Sequence, residues 1–141
     1  MKIVALGFLL LSSNILLAQK NDSSVVATKD TSSKVFEKVE IEASVDAQQW
    51  VEHLTRNLQS PIEKAAKRGM RAGTYTVQVR FLVERDGSIG DVQALNDPGY
   101  SLGKAAVKAL RTGPKWKPGE IDGRKVRSYH TQPITFVIQE I

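Results

Sequence analysis

The sequence predicts a small α+β domain, in which two or three short helices pack on a three-stranded antiparallel sheet with an open edge strand. Three observations indicate this fold class. Two stretches of alternating apolar residues flank an Asp-Gly pair, which is typical of a β-hairpin. An apolar stripe at helical spacing follows them. The chain ends in another alternating stretch that contains a proline, a residue tolerated in sheets mainly at edges or bulges.

The first alternating stretch predicts one strand of the hairpin. Its apolar face is formed by Tyr75, Val77, Val79, Phe81 and Val83. The opposite face is polar, so one side of this strand is expected to face the core and the other to face solvent. Asp86 and Gly87 supply the turn. After Ile89 the apolar phase slips by one residue, which predicts a β-bulge near Gly90 and Asp91.

Two short helices are predicted before the hairpin. Asp46, with Gln49 three residues later, resembles an N-cap pair, and apolar residues continue at helical spacing behind it. The start of a second helix is predicted next, because Ser60 can cap a helix and Pro61 fits a first helical position, where a missing N–H costs nothing. Gly69 is then expected to end the second helix.

A further helix is predicted after the hairpin. Its apolar stripe consists of Leu102, Ala105, Ala106, Ala109 and Leu110. Ser101 is expected to cap this helix, and Gly113 with Pro114 to end it. The last strand is expected to span residues 126–139, with alternate apolar residues facing the core. Because Pro133 lacks an N–H, this strand is predicted to be exposed along one side.

The N-terminal segment differs in composition from the rest of the chain. Residues 1–18 carry one lysine, an apolar stretch with a polar middle and a small final residue, which predicts a secretory signal peptide. An uncleaved membrane anchor is the alternative. Residues 19–34 are rich in Ser, Thr, Asp and Lys and predict a disordered tether, so that residues 35–141 form the folded domain. There is no cysteine, and therefore no disulfide or cysteine-linked lipid anchor.

Motifs in the folded region form a series with characteristic spacing. They occupy residues 35–40, 57–61, 73–77, 86–92, 114–119, 122–126 and 133–136. Together they resemble the C-terminal domain of the TonB family, the periplasmic energy transducers that engage outer-membrane transport receptors. The chain departs from the family at residues 44–47, where a Phe-Pro-Gly-Gly turn is usual. It departs again at Gly103 and Lys104, where acidic residues are common.

The resemblance implies a binding mode and a set of partners. In the TonB family a short receptor segment, the TonB box, adds to the last strand as a further strand. Carried onto this chain, the implied binding residues are Arg127, Ser128, Tyr129, His130, Thr131, Gln132, Pro133, Ile134, Thr135, Gln59 and Ser60. The implied partners are outer-membrane TonB-dependent receptors and an inner-membrane motor complex. The implied process is energy-coupled transport, with this domain in the periplasm.

Other interpretations of the exposed strand stay open at this stage. The strand could pair with a second copy of the chain in a homodimer, or it could close the sheet without a partner. The chain could also be a soluble periplasmic adaptor or structural binding module with the same fold and no energy coupling. This alternative arises because the sequence lacks the long proline-rich linker of force-carrying family members.

The distribution of charged and polar residues limits the classes of function that the sequence predicts. The net charge is +5, and residues 103–130 hold eight basic side chains against two acidic ones. This excess indicates either acidic partners or a solvated basic face, and a secretory signal argues against nucleic acid. His53, expected on a helix surface, and His130 lie far apart in sequence, so no enzyme, metal site or cofactor is predicted. Trp116 is expected in the core, with its indole N–H near the surface.

Overall fold

The computed structural model describes residues 33–141. Its elements in chain order are β1 (Val35–Phe36), α1 (Ala47–Lys67), β2 (Gly73–Val83), β3 (Ile89–Ala94), α2 (Leu102–Arg111), β4 (Gly119–Ile121) and β5 (Arg124–Ile138). The α+β class is confirmed. The signal peptide predicted at residues 1–18, and all but the last two residues of the tether predicted at 19–34, lie outside the described residues.

The sheet is mixed, with the strand order β1-β5-β2-β3. β2 and β5 pair in antiparallel register from Gly73 opposite Ile138 to Val83 opposite Ser128. β1 adds in parallel beside the first half of β5, and β4 pairs with the first residues of β5 through a tight hairpin. The three predicted strands are therefore present, and two short strands that the sequence analysis did not anticipate enlarge the sheet.

The core lies between one face of the sheet and the two helices. The largest side chains that are fully shielded from solvent are Phe81, Phe136, Leu102, Leu110, Ile134, Ile138, Val77, Val79 and Val83. The residues from β2 and β5 alternate in sequence, as expected for strands with one buried face. Each large apolar side chain that is fully buried stabilises the fold by about 1.5–3 kcal/mol. The sheet and α2 are thus held together mainly by apolar packing.

The prediction of two helices before the hairpin is wrong, because a single helix of 21 residues, α1, runs through Pro61. Ser60 and Pro61 therefore lie inside α1 and do not begin a second helix. A proline in a helix interior removes one hydrogen bond and costs about 3 kcal/mol. Leu58 before it and Ala65 after it are both buried in the core, so packing on either side holds the helix continuous.

The helix ends agree with prediction at α1 and differ at α2. The side chain of Asp46 caps α1, and Gly69 follows its end with φ +96°. At α2, Ser101 has left-handed backbone (φ +66°) and makes no side-chain capping bond, so the predicted cap is wrong. Asp97 replaces it, because its Oδ1 accepts the N–H of Gly103 at 3.1 Å. A Cβ at position 103 would lie 2.6 Å from Asp97 Cγ, so glycine makes room for this cap.

The predicted hairpin and its bulge are both present. The N–H of Gly87 donates to Glu84 O, and Gly87 has φ +86°. Opposite Phe81, β3 places two residues, Asp91 and Val92, where one would continue the ladder. Asp91 has φ +48°, which is uncommon outside glycine and typical of an irregular position. The slip in apolar phase in the sequence is therefore explained by this bulge.

Candidate peptide-binding edge

The last strand, β5, has one paired side and one open side. Gln78 of β2 directs its backbone toward β3, since its N–H donates to Asn96 Oδ1 and its C=O accepts the N–H of Leu95. In an antiparallel ladder its partner Pro133 then directs its own backbone groups away from β2. Every second residue of β5 shares that direction. We use the name open edge for the outward backbone groups of Thr131, Pro133, Thr135 and Val137.

No backbone hydrogen bond from elsewhere in residues 33–141 reaches the open edge. β1 ends at Phe36, beside Ser128, and leaves the strand beyond it uncovered. The N–H that Pro133 lacks would have faced the open side, so proline breaks no bond to β2. Gln132 Nε2 donates to Pro133 O at 3.3 Å and covers that acceptor. The open edge therefore offers a regular series of donors and acceptors with one interruption, as predicted for an exposed strand.

A groove runs along the C-terminal part of the open edge, beside Thr135 and Val137, and α1 forms its other wall. Its volume is about 500 Å³, and a second hollow of about 280 Å³ continues it toward Ile141. We use the name edge groove for the space between Leu54, Leu58, Gln59, Ile62 and Glu63 of α1 and Thr135, Val137 and Gln139 at the end of the chain. Its helix wall is apolar with a polar rim. A strand added to the open edge would therefore pack half of its side chains against α1.

The helix wall of the edge groove was missed by sequence reasoning. Leu54, Leu58 and Ile62 recur at intervals of four residues, which places them on one face of a continuous helix. The expected break at Ser60 and Pro61 separated Ile62 from the other two. The signal that could have identified this wall is the persistence of the apolar stripe across the proline.

Four of the predicted binding residues, Ser128, His130, Gln132 and Ile134, alternate along the inner face of β5. Ile134 is fully buried, and Ser128 is buried with its Oγ lacking a hydrogen-bond partner in the described part of the chain. His130 lies at the rim of the core, where its ring centroid is 5.2 Å from that of Trp116. Its Nδ1 is 3.7 Å from the carboxylate of Glu42. The side chains of Ser128 and Ile134 thus support the core beneath the open edge.

Arg127 and Tyr129 lie on the outer face of the sheet near β1. Arg127 donates to both carboxylate oxygens of Glu84, at 2.7 and 3.1 Å, and this pairing raises the pKa of the guanidinium. The guanidinium carbon of Arg80 lies 3.6 Å from the centroid of the Tyr129 ring. Arg80 also donates to Glu37 at 2.6 Å. These contacts connect the segment after β1 to the outer face of the sheet.

The remaining predicted residues divide between the edge groove and its surroundings. Gln59 and Thr135 line opposite walls of the edge groove. Thr131 and Gln132 lie on β5 between the groove and β1. Ser60 is exposed on α1 and does not line the groove. The structure therefore brings together Gln59 and Thr135, which are far apart in sequence, and leaves Ser60 outside.

Two aromatic side chains lie deeper than expected. His53 is buried, with Nε2 2.7 Å from Ala109 O and Nδ1 3.0 Å from Asn57 Nδ2, so the expected surface position is wrong. Because Asn57 donates to Nδ1, Nε2 carries the proton that bonds to Ala109. The indole N–H of Trp116 is buried without a partner among residues 33–141, which overturns its expected place near the surface. The backbone bond from Trp116 to Gly87 O holds this residue beneath the hairpin.

Residues 33–141 contain neither a candidate metal cluster nor a candidate membrane-spanning helix. No group of three or more His, Asp or Glu side chains in this range could hold a metal ion. Neither helix in the same range is long and apolar enough to cross a bilayer.

Comparison with known proteins identifies a family. Residues 63–138 match the family described as Gram-negative bacterial TonB protein C-terminal. The match covers more than half of the chain and extends from the second half of α1 through the whole of β5. It therefore includes the open edge and Glu63 at the rim of the groove, whereas Leu54, Leu58 and Ile62 of the helix wall precede the matched residues. No curated protein matches the chain.

Proposed function

Because the chain belongs to the TonB C-terminal family, whose members are protein-interaction domains, we propose that it binds outer-membrane receptors by strand addition in the periplasm. The TonB-box segment of a receptor would pair with the open edge as the next strand, in energy-coupled transport. The observation that carries this proposal is the edge groove, which lies directly beside unpaired backbone groups.

Backbone hydrogen bonds would supply affinity that depends little on receptor sequence. Each bond contributes about 0.5–1.5 kcal/mol net, and the open edge has outward N–H groups at Thr131, Thr135 and Val137. Carbonyl groups alternate with them along the strand. Pro133 interrupts the ladder, so the bound segment is expected to pair on both sides of it. This is the β-augmentation mode of peptide recognition.

The edge groove would supply selectivity. In an added strand, alternate side chains point toward α1, where Leu54, Leu58 and Ile62 form an apolar wall. The bound segment should therefore carry apolar residues at every second position on that side. Gln59 and Glu63 at the rim can bond to polar groups of the segment, and their own mutual bond of 3.0 Å shows that both side chains reach this rim.

The same arrangement suits a domain that transmits a pull. A strand added to β5 would be held by hydrogen bonds that run across the strand axis, so a pull along the segment would load several bonds together. β5 is itself paired with β2 along most of its length. Force entering through the open edge would therefore pass into the most extensively paired part of the sheet.

A matched pair of tryptophan variants tests this proposal. Gln59→Trp fills the edge groove, whereas Ser60→Trp places the same bulk on the neighbouring exposed position outside it. We expect Gln59→Trp to weaken the binding of a fluorescently labelled TonB-box peptide at least tenfold, which is about 1.4 kcal/mol, and Ser60→Trp to change it less than twofold. Fluorescence anisotropy measures both. Equal effects of the two variants, or no saturable binding to the wild-type protein, would contradict the proposal.

A further inference from the structure

A second surface, distinct from the edge groove, concentrates positive charge. A groove of about 500 Å³ lies between the C-terminal half of α1 and the N-terminal half of α2. We use the name basic groove for the surface lined by Pro61, Lys64, Lys67, Arg68, Tyr100, Ser101, Lys104, Ala105 and Lys108. It holds no acidic side chain in its lining. On the far side of α2, Arg111 adds a cation to a neighbouring hollow, which Lys104 and Lys108 also line together with the carboxylate of Asp97.

These cations are not neutralised within the described part of the chain. The ion pairs found there involve Arg80, Arg127 and His130, and none involves a residue of the basic groove. Arg68 contacts the ring of Tyr100, with 5.7 Å between its guanidinium carbon and the ring centroid. Mutual repulsion among clustered like charges lowers stability, and a bound anionic partner would relieve it.

Helix dipoles explain the positions of only some of the cations that line the basic groove. Lys64 and Lys67 lie in the last turn of α1, where cations are favoured. Lys104 instead lies in the first turn of α2, where the dipole favours anions, and the carboxylate found there is that of the capping residue Asp97. Lys108 follows one turn later on the same side of the helix. A structural role therefore does not account for the cations that α2 contributes.

We propose that the basic groove docks this domain on the phosphate headgroups of an anionic lipid surface. Four of its five cations are lysines, whose flexible point charges suit a layer of headgroups better than one fixed bidentate ligand. Tyr100, which is 38 % exposed, has the apolar ring and polar hydroxyl favoured at a lipid–water boundary. It is the one large exposed hydrophobic residue of residues 33–141 that lines this groove, so an acidic protein would find little apolar anchorage there.

The geometry leaves both surfaces accessible together. Leu54, Leu58 and Ile62 line the edge groove, whereas Lys64 and Arg68 line the basic groove on another face of α1. Lys67 borders both the basic groove and the hollow that continues the edge groove. A domain held on a lipid surface through the basic groove could therefore still bind a strand at the open edge. This inference concerns a different surface from the proposed receptor site, and its test uses no receptor peptide.

Vesicle binding by the full chain tests the inference. The vesicles contain phosphatidylcholine alone or with about 30 % phosphatidylglycerol, at about 0.15 M salt, where exposed charges act over roughly 8 Å. The groove variant combines Lys64→Gln, Lys104→Gln and Lys108→Gln. The control combines Lys38→Gln, Arg124→Gln and Lys125→Gln, which remove the same charge from exposed positions that line neither the basic groove nor the hollow beside it. Circular dichroism verifies that both variants are folded.

We expect the wild-type chain to bind the anionic vesicles more tightly than the neutral ones. The groove variant should lose about a hundredfold of this affinity, at about fivefold per charge, and the control less than threefold. Equal losses for both variants would overturn the inference, because net charge alone would explain binding. The inference would also fail if the wild-type chain bound anionic and neutral vesicles equally, or if millimolar inorganic phosphate released the protein from the vesicles. A third contradicting result would be that a polyglutamate peptide binds, and loses affinity in the groove variant but not in the control, while the vesicles do not bind.

Discussion

The sheet has two edges, and they are built differently. β3 is only six residues long, and its bulge at Asp91 and Val92 interrupts the ladder. β5 is fifteen residues long and pairs regularly with β2, and Pro133 is the single break in its outward donors. A bulge twists an edge and displaces its backbone groups, which discourages an added strand. The fold therefore protects the β3 edge by local geometry and leaves the outward backbone groups of β5 unpaired beside a groove.

A side chain completes the protection on the β3 side. Where β3 has ended, Asn96 accepts the N–H of Gln78 and donates to Thr76 O, each at 2.8 Å. Its amide group thus takes the place of a further strand residue beside β2. No comparable side chain in residues 33–141 covers the N–H groups of the open edge on β5. The availability of β5 is therefore specific to that edge and is not a general property of the sheet.

The largest expected effect comes from breaking the hairpin that carries the protected edge. A Cβ at Gly87 would lie 2.1 Å from Trp116 O, in a residue with φ +86°. Gly87→Ala should therefore lower the free energy of unfolding by about 3 kcal/mol in urea denaturation, since left-handed strain adds to a backbone clash. Gly123→Ala is the matched control, with φ +73° and no atom within 4 Å, and should cost about 1 kcal/mol. Equal losses would mean that the contact with Trp116 has no energetic importance.

An intermediate effect is expected from removing one donor of the open edge. Thr135→Pro deletes an N–H that faces away from β2, so the sheet should stay folded while the affinity for a TonB-box peptide falls about tenfold. Thr135→Val is the matched control, because it keeps the N–H and removes only the hydroxyl. It should change affinity less than twofold in an anisotropy titration. If both variants bound like the wild type, β5 would not be the receiving strand.

The smallest expected effect is on the pH dependence of thermal stability that Asp86 contributes in the turn before β3. Hydrogen bonds from the Ser88 hydroxyl and N–H, at 2.6 and 2.9 Å, hold the pKa of the Asp86 carboxyl below its ordinary value of 3.8. A carboxyl with a depressed folded-state pKa stabilises the fold above its unfolded-state pKa, and this contribution is lost as pH falls through the folded-state value. Asp86→Asn does not titrate. Its Tm deficit relative to wild type should be present at pH 6 and shrink toward pH 2, and a constant deficit would contradict the assignment.

The sequence was sufficient for features that depend on local pattern. The alternation in β2, the turn at Gly87 and the bulge at Asp91 all follow from residue types within a few positions of one another. The hairpin between β4 and β5 carries the same type of signal, since Asp122 and Gly123 both have positive φ in a two-residue turn. That strand could have been predicted from the pair, whereas β1 is too short to leave a pattern.

Features that depend on tertiary packing could be predicted less well from the sequence. Ser60 and Pro61 are a good local start signal, but burial on both sides of them keeps α1 continuous. The direction of the backbone at Pro133 depends on the register between β2 and β5, which no local pattern specifies. The edge groove further requires α1 to lie along the end of β5. The predicted binding residues could therefore be assigned to an exposed strand, whereas the expected helix break at Pro61 hid the contribution of Leu54 and Ile62 to the groove.

Amide hydrogen exchange of β5, with and without a TonB-box peptide, shows whether β5 receives the added strand. In the free protein, the amides of Gln132, Ile134 and Phe136 should exchange slowly because they face β2, and those of Thr135 and Val137 should exchange fast. Saturating peptide should slow the outward amides and leave the inward ones unchanged. If the outward amides stayed fast at saturation, or if protection appeared along β3, the claim that β5 is the receiving edge would be contradicted.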